Sequence, residues 1–191
     1  MIKDLKSLKE FFKKVKIPIF GVCVYAFDRL GPEEFISQYR LLTLRYSLDT
    51  KLIEKDLAVL SLEKGRGVYH LNVLRNSTSV LAHPKTQEYL KKFNRPLILP
   101  YRASGKMMEI AKKNGWLIAA NPLQFGKELL ENKLKFRKIL EKIGVAVPPG
   151  EVVEIRSLDF ERSAQHYGLP FFIQHPLSGG GKRIEKVCFA G

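Results

Sequence analysis

Residues 178–183 read Ser-Gly-Gly-Gly-Lys-Arg, and they are where phosphate chemistry is most concentrated in this 191-residue chain. Consecutive glycines adopt backbone angles that other residues avoid, so several N–H groups can converge on one anion. Ser178 adds a hydroxyl, and Lys182 and Arg183 add positive charge. Set between two strand-like segments, Ser178, Gly179, Gly180 and Gly181 read as a phosphate cradle; taken alone, they also read as a flexible glycine turn. The loop is not a Walker A motif, because Pro176 stands where its leading glycine would fall and a strand-like segment follows. Ser104-Gly105-Lys106 is excluded in the same way by Pro100. His70, His83, His166 and His175 show no metal-ligand spacing among themselves or with Cys23 and Cys188. Both cysteines sit in apolar runs and are expected to be buried thiols in a reducing, cytoplasmic setting, with a disulfide between them as the alternative.

Holding such groups in place requires a folded scaffold, and the composition supplies one. Hydrophobic residues make up 45% of the chain and charged residues 27%, which excludes the disordered class. No apolar run approaches the ~20 residues needed to span a bilayer. The N-terminal segment is not a signal peptide. It mixes Lys3, Lys6, Lys9, Lys13 and Lys14 with Leu5, Leu8, Phe11, Phe12 and Val15 at helical spacing. That pattern fits a first helix packed on a sheet, and it also fits a helix lying on a membrane surface. The net charge of +14 favours anionic partners, but the charges are spread along the chain and no nucleic-acid motif accompanies them.

The element order predicts an α/β fold. Strand-like runs at 17–27, 57–62, 96–101 and 116–120 alternate with helices at 84–93 and 104–114, the signal for a parallel sheet covered on both faces. A second apolar-rich run covers 40–47, residues 51–56 are polar, and Gly31-Pro32-Glu33-Glu34 opens a short helix; the stretch 68–81 has no clear period. The texture changes near 121–128. Asn121-Pro122 is a helix start, and a long basic helix is expected from 123 to 143, ended by Gly144. An extended connector through Pro148-Pro149-Gly150, a strand at 152–155 and a helix at 158–167 follow. Strands at 169–174 and 184–190 then form a hairpin around the glycine loop.

That order of parts, ELLENKLKFRKILEKIGVAVPPGEVVEI followed by HYGLPFFIQHPLSGGGKRIEKV, resembles the opening of the ATP-grasp fold. The family opens with an (N/D)K helix, continues LxxxGVPxP, and reaches G(Y/L)PxVxKP and a glycine-rich phosphate loop. The likeness covers about 60 residues, 128–187. It implies a Rossmann-like preATP-grasp domain over 1–122 and the start of an α+β ATP-grasp domain over 123–191. It also implies ATP and magnesium as cofactors and a small carboxylate as substrate. Lys133 takes the place of the family's first phosphate-reaching cation; the plainer reading is a solvated lysine in a lysine-rich helix. Gln174 stands where most members have a lysine, in IQHP instead of VxKP, and keeps hydrogen bonding without the charge. Ser178 to Gly181 match the loop over the β- and γ-phosphates.

The resemblance further implies that the magnesium ligands, the adenine hinge and an acyl-phosphate arginine belong to a later part of the fold. The sequence is therefore expected to be a fragment, inactive alone, of an ATP-dependent carboxylate–amine or carboxylate–thiol ligase working through an acyl phosphate. Glu185 is expected to be a solvent-facing strand residue and not a metal ligand. Two other readings stand beside this one: a non-catalytic nucleotide-binding module, and a basic RNA- or membrane-associating protein.

Overall fold

A computed structural model describes residues 2–65, 72–121, 123, 126, 129–177 and 183–188. The chain divides into two compact units, Met1–Asn121 and Pro122–Gly191.

The first unit is α/β. Strands β1 (Ile19–Cys23), β2 (Tyr39–Thr43), β3 (Val59–Ser61), β4 (Leu97–Pro100) and β5 (Leu117–Ile118) form one parallel sheet in the order β3-β2-β1-β4-β5. Its helices are α1 (Leu5–Lys14), α2 (Leu48–Ile53), α3 (Ser77–Ala82), α4 (Pro84–Leu90) and α5 (Gly105–Asn114). Central β1 is buried along its whole length, which explains why it reads as a continuous apolar run. Gly21 sits in its middle for a steric reason: a Cβ there would collide with Tyr39 Oη, which crosses over it to donate to the Arg29 carbonyl at 2.8 Å.

The main core lies on one face, where Phe20, Val22, Leu42 and Ile98 meet Val80, Leu90, Met107 and Ile110 from α3, α4 and α5. Phe20 packs edge-on against Phe93 and Tyr89, with ring centres 5.0 and 6.2 Å away. The other face carries a smaller cluster of Ile19, Ala26, Ile36, Tyr39 and Leu41, with Phe12 and Phe35 packed on it. Helix α1 is capped by Asp4, whose carboxylate accepts from Ser7 N at 2.7 Å. None of its ten residues is fully buried, so the expected greasy stripe is only partly used: Phe12 packs inward while Leu5 and Phe11 remain exposed.

Several expectations are corrected. The strand-like run 17–27 is shorter than expected: β1 covers Ile19–Cys23, and Ala26 and Phe27 lie in a 3₁₀ helix, Ala26–Arg29. The short helix expected from Gly31 is a 3₁₀ helix, Pro32–Glu34. The polar stretch 51–56 is partly helical, in α2, because Ser47 and Thr50 form a capping box at its start. The unclear stretch 68–81 holds the start of α3, capped by Asn76; residues 66–71 lie outside the described residues.

In the second unit, α6 spans Lys133–Lys142, α7 spans Phe160–Tyr167, and β6 (Phe171–Gln174) pairs antiparallel with β7 (Ile184–Val187) as the expected hairpin. Two corrections apply here. The long helix expected over 123–143 does not run through Asn132-Lys133, because the Asn132 side chain accepts from Leu134 N and Lys135 N and so caps a helix that begins at Lys133. Residues 152–155 are not a strand. Val152 and Val153 are exposed without a neighbouring strand among the described residues, and a 3₁₀ turn, Ile155–Ser157, follows. Gly144 does end α6 in a left-handed conformation, φ 77°. No helix of the described residues is long and apolar enough to cross a membrane.

Candidate functional site

The candidate site is built at the mouth of the β6–β7 hairpin. Because Asn132 caps α6, Lys133 becomes that helix's first residue and its backbone N–H points out of the helix end. That N–H donates to the Pro176 carbonyl at 3.0 Å, and Lys133 Nζ donates to the His175 carbonyl at 3.3 Å. The start of α6 is thus fastened twice to the two residues that leave β6. His175 also closes the hairpin neck. Its N–H donates to the Arg183 carbonyl at 3.1 Å, and its Nδ1 accepts from Leu177 N at 3.1 Å. Arg183 takes a left-handed backbone, φ 58°, as it enters β7. Ser178, Gly179, Gly180 and Gly181, with Lys182, fall outside the described residues.

Gln174 is the last residue of β6 and lies opposite Ile184. Alternation along the strand puts Phe171 and Ile173 on the inner face, where Phe171 is buried beside Phe160 with ring centres 6.1 Å apart. Gln174 and Phe172 therefore share the outer face with their cross-strand partners Ile184 and Lys186. All four are exposed. That face carries two apolar side chains, Phe172 and Ile184, together with an amide and an ammonium. Sequence reasoning picked Gln174 and missed Phe172, Ile184 and Lys186. The alternation of FFIQ and IEKV was the signal that could have found them.

The connector after α6 is tied back by Arg137, which pairs with Glu141 at 2.8 Å and donates to the Pro148 carbonyl at 2.7 Å. An open polar hollow of about 340 Å³ is lined by Glu151, Arg162, Gln165 and His166. Among the described residues no three of His, Cys, Asp or Glu gather where a metal could sit. Glu185 is exposed on β7, opposite Ile173. The thiols differ from expectation in one respect: both are free, but only Cys23 is buried, and Cys188 is exposed at the end of β7. Burial pushes the Cys23 thiol up to about 12, which keeps it protonated and unreactive.

In the first unit, Arg45 and Glu63 form a buried ion pair at 3.3 Å just past the ends of β2 and β3. Beside it, Glu54 accepts from Tyr46 Oη and Lys64 Nζ, both at 2.6 Å, and Lys64 first, then Tyr46, hold its carboxyl below the usual range. The phosphate-directed features found in the sequence belong to the second unit. Comparison with protein-family models, with curated proteins and with solved structures finds no match to this chain.

Proposed function

We propose that this chain supplies the phosphate-binding half of an ATP site in an ATP-grasp-type ligase, one that activates a small carboxylate as an acyl phosphate. The observation that carries the reading is the double attachment of Lys133 to His175 and Pro176. It joins two elements 42 positions apart, the capped helix and the strand that leads into Ser178–Gly181, as a site using both on one polyphosphate requires. A Lys133 ammonium at the hairpin mouth acts as a point charge, and the glycine loop contributes N–H groups. Phe172 and Ile184 offer an apolar surface for a base, Gln174 an amide, and Lys186 a cation on the same face, which offsets the missing charge at Gln174.

The residues fit a triphosphate, with cations and hydrogen-bond donors on one hairpin. They do not fit magnesium, since the described residues present no convergent set of carboxylates; no step through the metal is derived. What the chain's own groups do is neutralise and orient phosphate oxygens, the electrostatic part of phosphoryl transfer.

Calorimetry of ATP with magnesium tests the reading on the parent chain, on Lys133→Ala and on a Gly179–Gly181 alanine variant. Binding by the parent, weakened about tenfold by loss of the Lys133 charge and by the stiffened loop, is the expected outcome. ATP binding indistinguishable from that of tripolyphosphate, falling steeply with salt in all three proteins, would instead favour the polyanion-binding reading that the charge of +14 suggests. No binding by the parent removes the proposal.

A further inference from the structure

The first unit has a feature the nucleotide reading does not use. Sheet order reverses at β1 and β4: the chain leaves β1 toward β2 on one side and leaves β4 toward β5 on the other. In open parallel sheets the strand ends at such a reversal diverge and leave room for a ligand. The two segments that leave these ends carry an unusual set of side chains. After β1 come Tyr25, Phe27 and Arg29, and after β4 come Tyr101 and Arg102. Tyr101 is 88% exposed, Phe27 70% and Tyr25 43%. Three water-facing aromatic side chains on these two segments make an exposed shelf at the strand ends.

The rings are not loose decoration. The Arg29 guanidinium lies over the Tyr101 ring, 5.1 Å from its centre, and so joins the two segments across the reversal. Arg29 has no carboxylate partner among the described residues. Asp49, on α2, accepts from Phe27 N at 3.4 Å and from Ser47, and Asp28 neighbours Arg29 in the 3₁₀ turn. Near the ends of β1 and β4, Ser77 Oγ donates to the Val22 carbonyl at 3.3 Å, and the Thr78 and Ser104 hydroxyls lie 3.0 Å apart.

We propose that this shelf binds a small anion carrying a flat ring. The ring stacks on Tyr101, and the carboxylate or phosphate meets the fork of donors on Arg29. A guanidinium already parked on a ring offers its edge N–H groups to an oxyanion while its face keeps the ring contact. With Tyr101 this exposed, affinity in about the millimolar range is expected. The site belongs to the first unit and holds whether or not the second unit takes ATP.

The test is NMR titration of the full chain without nucleotide. Phenylacetate and phenyl phosphate are the ring-bearing anions, acetate and inorganic phosphate the ringless controls, and benzyl alcohol the uncharged one. Saturable shifts confined to residues 25–29 and 101–104 are expected with one or both ring-bearing anions, and the stronger arm separates a carboxylate from a phosphate ligand. Tyr101→Ala and Arg29→Gln should each weaken binding about tenfold, while Tyr101→Phe keeps it; Tyr101 is at the surface and Arg29 half-buried, and circular dichroism checks that each variant folds. Equal binding of the ringless anions, or an unchanged affinity in Tyr101→Ala, overturns the proposal. So does displacement of the probe by decauridylate with steep salt dependence, which would make the shelf part of a nucleic-acid surface.

Discussion

The two units of this chain are held together by different physics. In the first, Phe20, Val22, Leu41, Leu42, Leu44, Leu62, Leu81, Leu90 and Ile98 are almost wholly removed from water. In the second, the buried hydrophobic residue among those described is Phe171, and neither α6 nor the β6–β7 ladder encloses a core of its own. Its order rests on directional contacts: the Asn132 cap, the Lys133 attachments, the Arg137 tether and the hairpin neck at His175. Hydrophobic burial scales with area and tolerates small displacements, whereas caps and charge-assisted hydrogen bonds are few and individually modest. The lesson is that the unit carrying the residues proposed to meet phosphate is the one with the least apolar reserve among the described residues. Lost contacts there act on the site before they act on overall stability.

This contrast can be broken in order of expected effect. Phe20→Ala should cost about 4 kcal/mol of first-unit stability in urea unfolding, because it empties the centre of the main core and strands the Tyr89 and Phe93 rings. Phe171→Ala should cost about half as much, roughly 2 kcal/mol, in hydrogen-exchange protection of β6 and β7, since fewer groups surround it. An equal or larger loss than Phe20→Ala would mean that the second unit is better packed than it looks. Asn132→Ala should cost about 1 kcal/mol, fraying the first turn of α6 and lowering ATP affinity with Lys133 left in place. ATP affinity unchanged under demonstrated fraying would detach the cap from the site.

The thiols sharpen the comparison at the smallest scale. Iodoacetamide at pH 8 should label Cys188 and spare Cys23 until the first unit unfolds. The sign for stability follows from the same burial. The folded Cys23 thiol stays protonated up to about 12 while the unfolded thiol ionises from 9.0, so the unfolded chain binds fewer protons above that point. The Cys23 contribution to stability is therefore complete below pH 9 and declines as pH rises toward 12. Alkaline melts of Cys23→Ala beside the parent check the direction, since the parent should lose more stability across that interval.

Much of the first unit was legible because its signals are local and redundant. The run 17–27, with IFGVC at its centre, reads as a strand buried on both faces, and Ser104 with Gly115 brackets α5 with a capping hydroxyl and a left-handed end. The failures were also local. Val152 and Val153 have strand composition, yet a strand exists only with a neighbour to pair, and none is present among the described residues. Asn132 sits inside an apolar period that reads as one long helix, but its side chain competes for the backbone N–H groups and starts the helix afresh.

Of the candidate site, residue types and order were readable: Lys133, Gln174 and the glycine loop all stand out as text. Composition and period also determined the α/β class of the first unit, the strands β1, β3, β4 and β5 and the helices α4 and α5, because burial period and capping chemistry act over a few neighbouring residues. Only the tertiary structure decided that Lys133 is fastened to His175, that Phe172 and Lys186 share Gln174's face, and that Arg29 meets Tyr101 across the sheet reversal. Those are contacts between distant positions, set by strand register and crossover, and no local propensity encodes them.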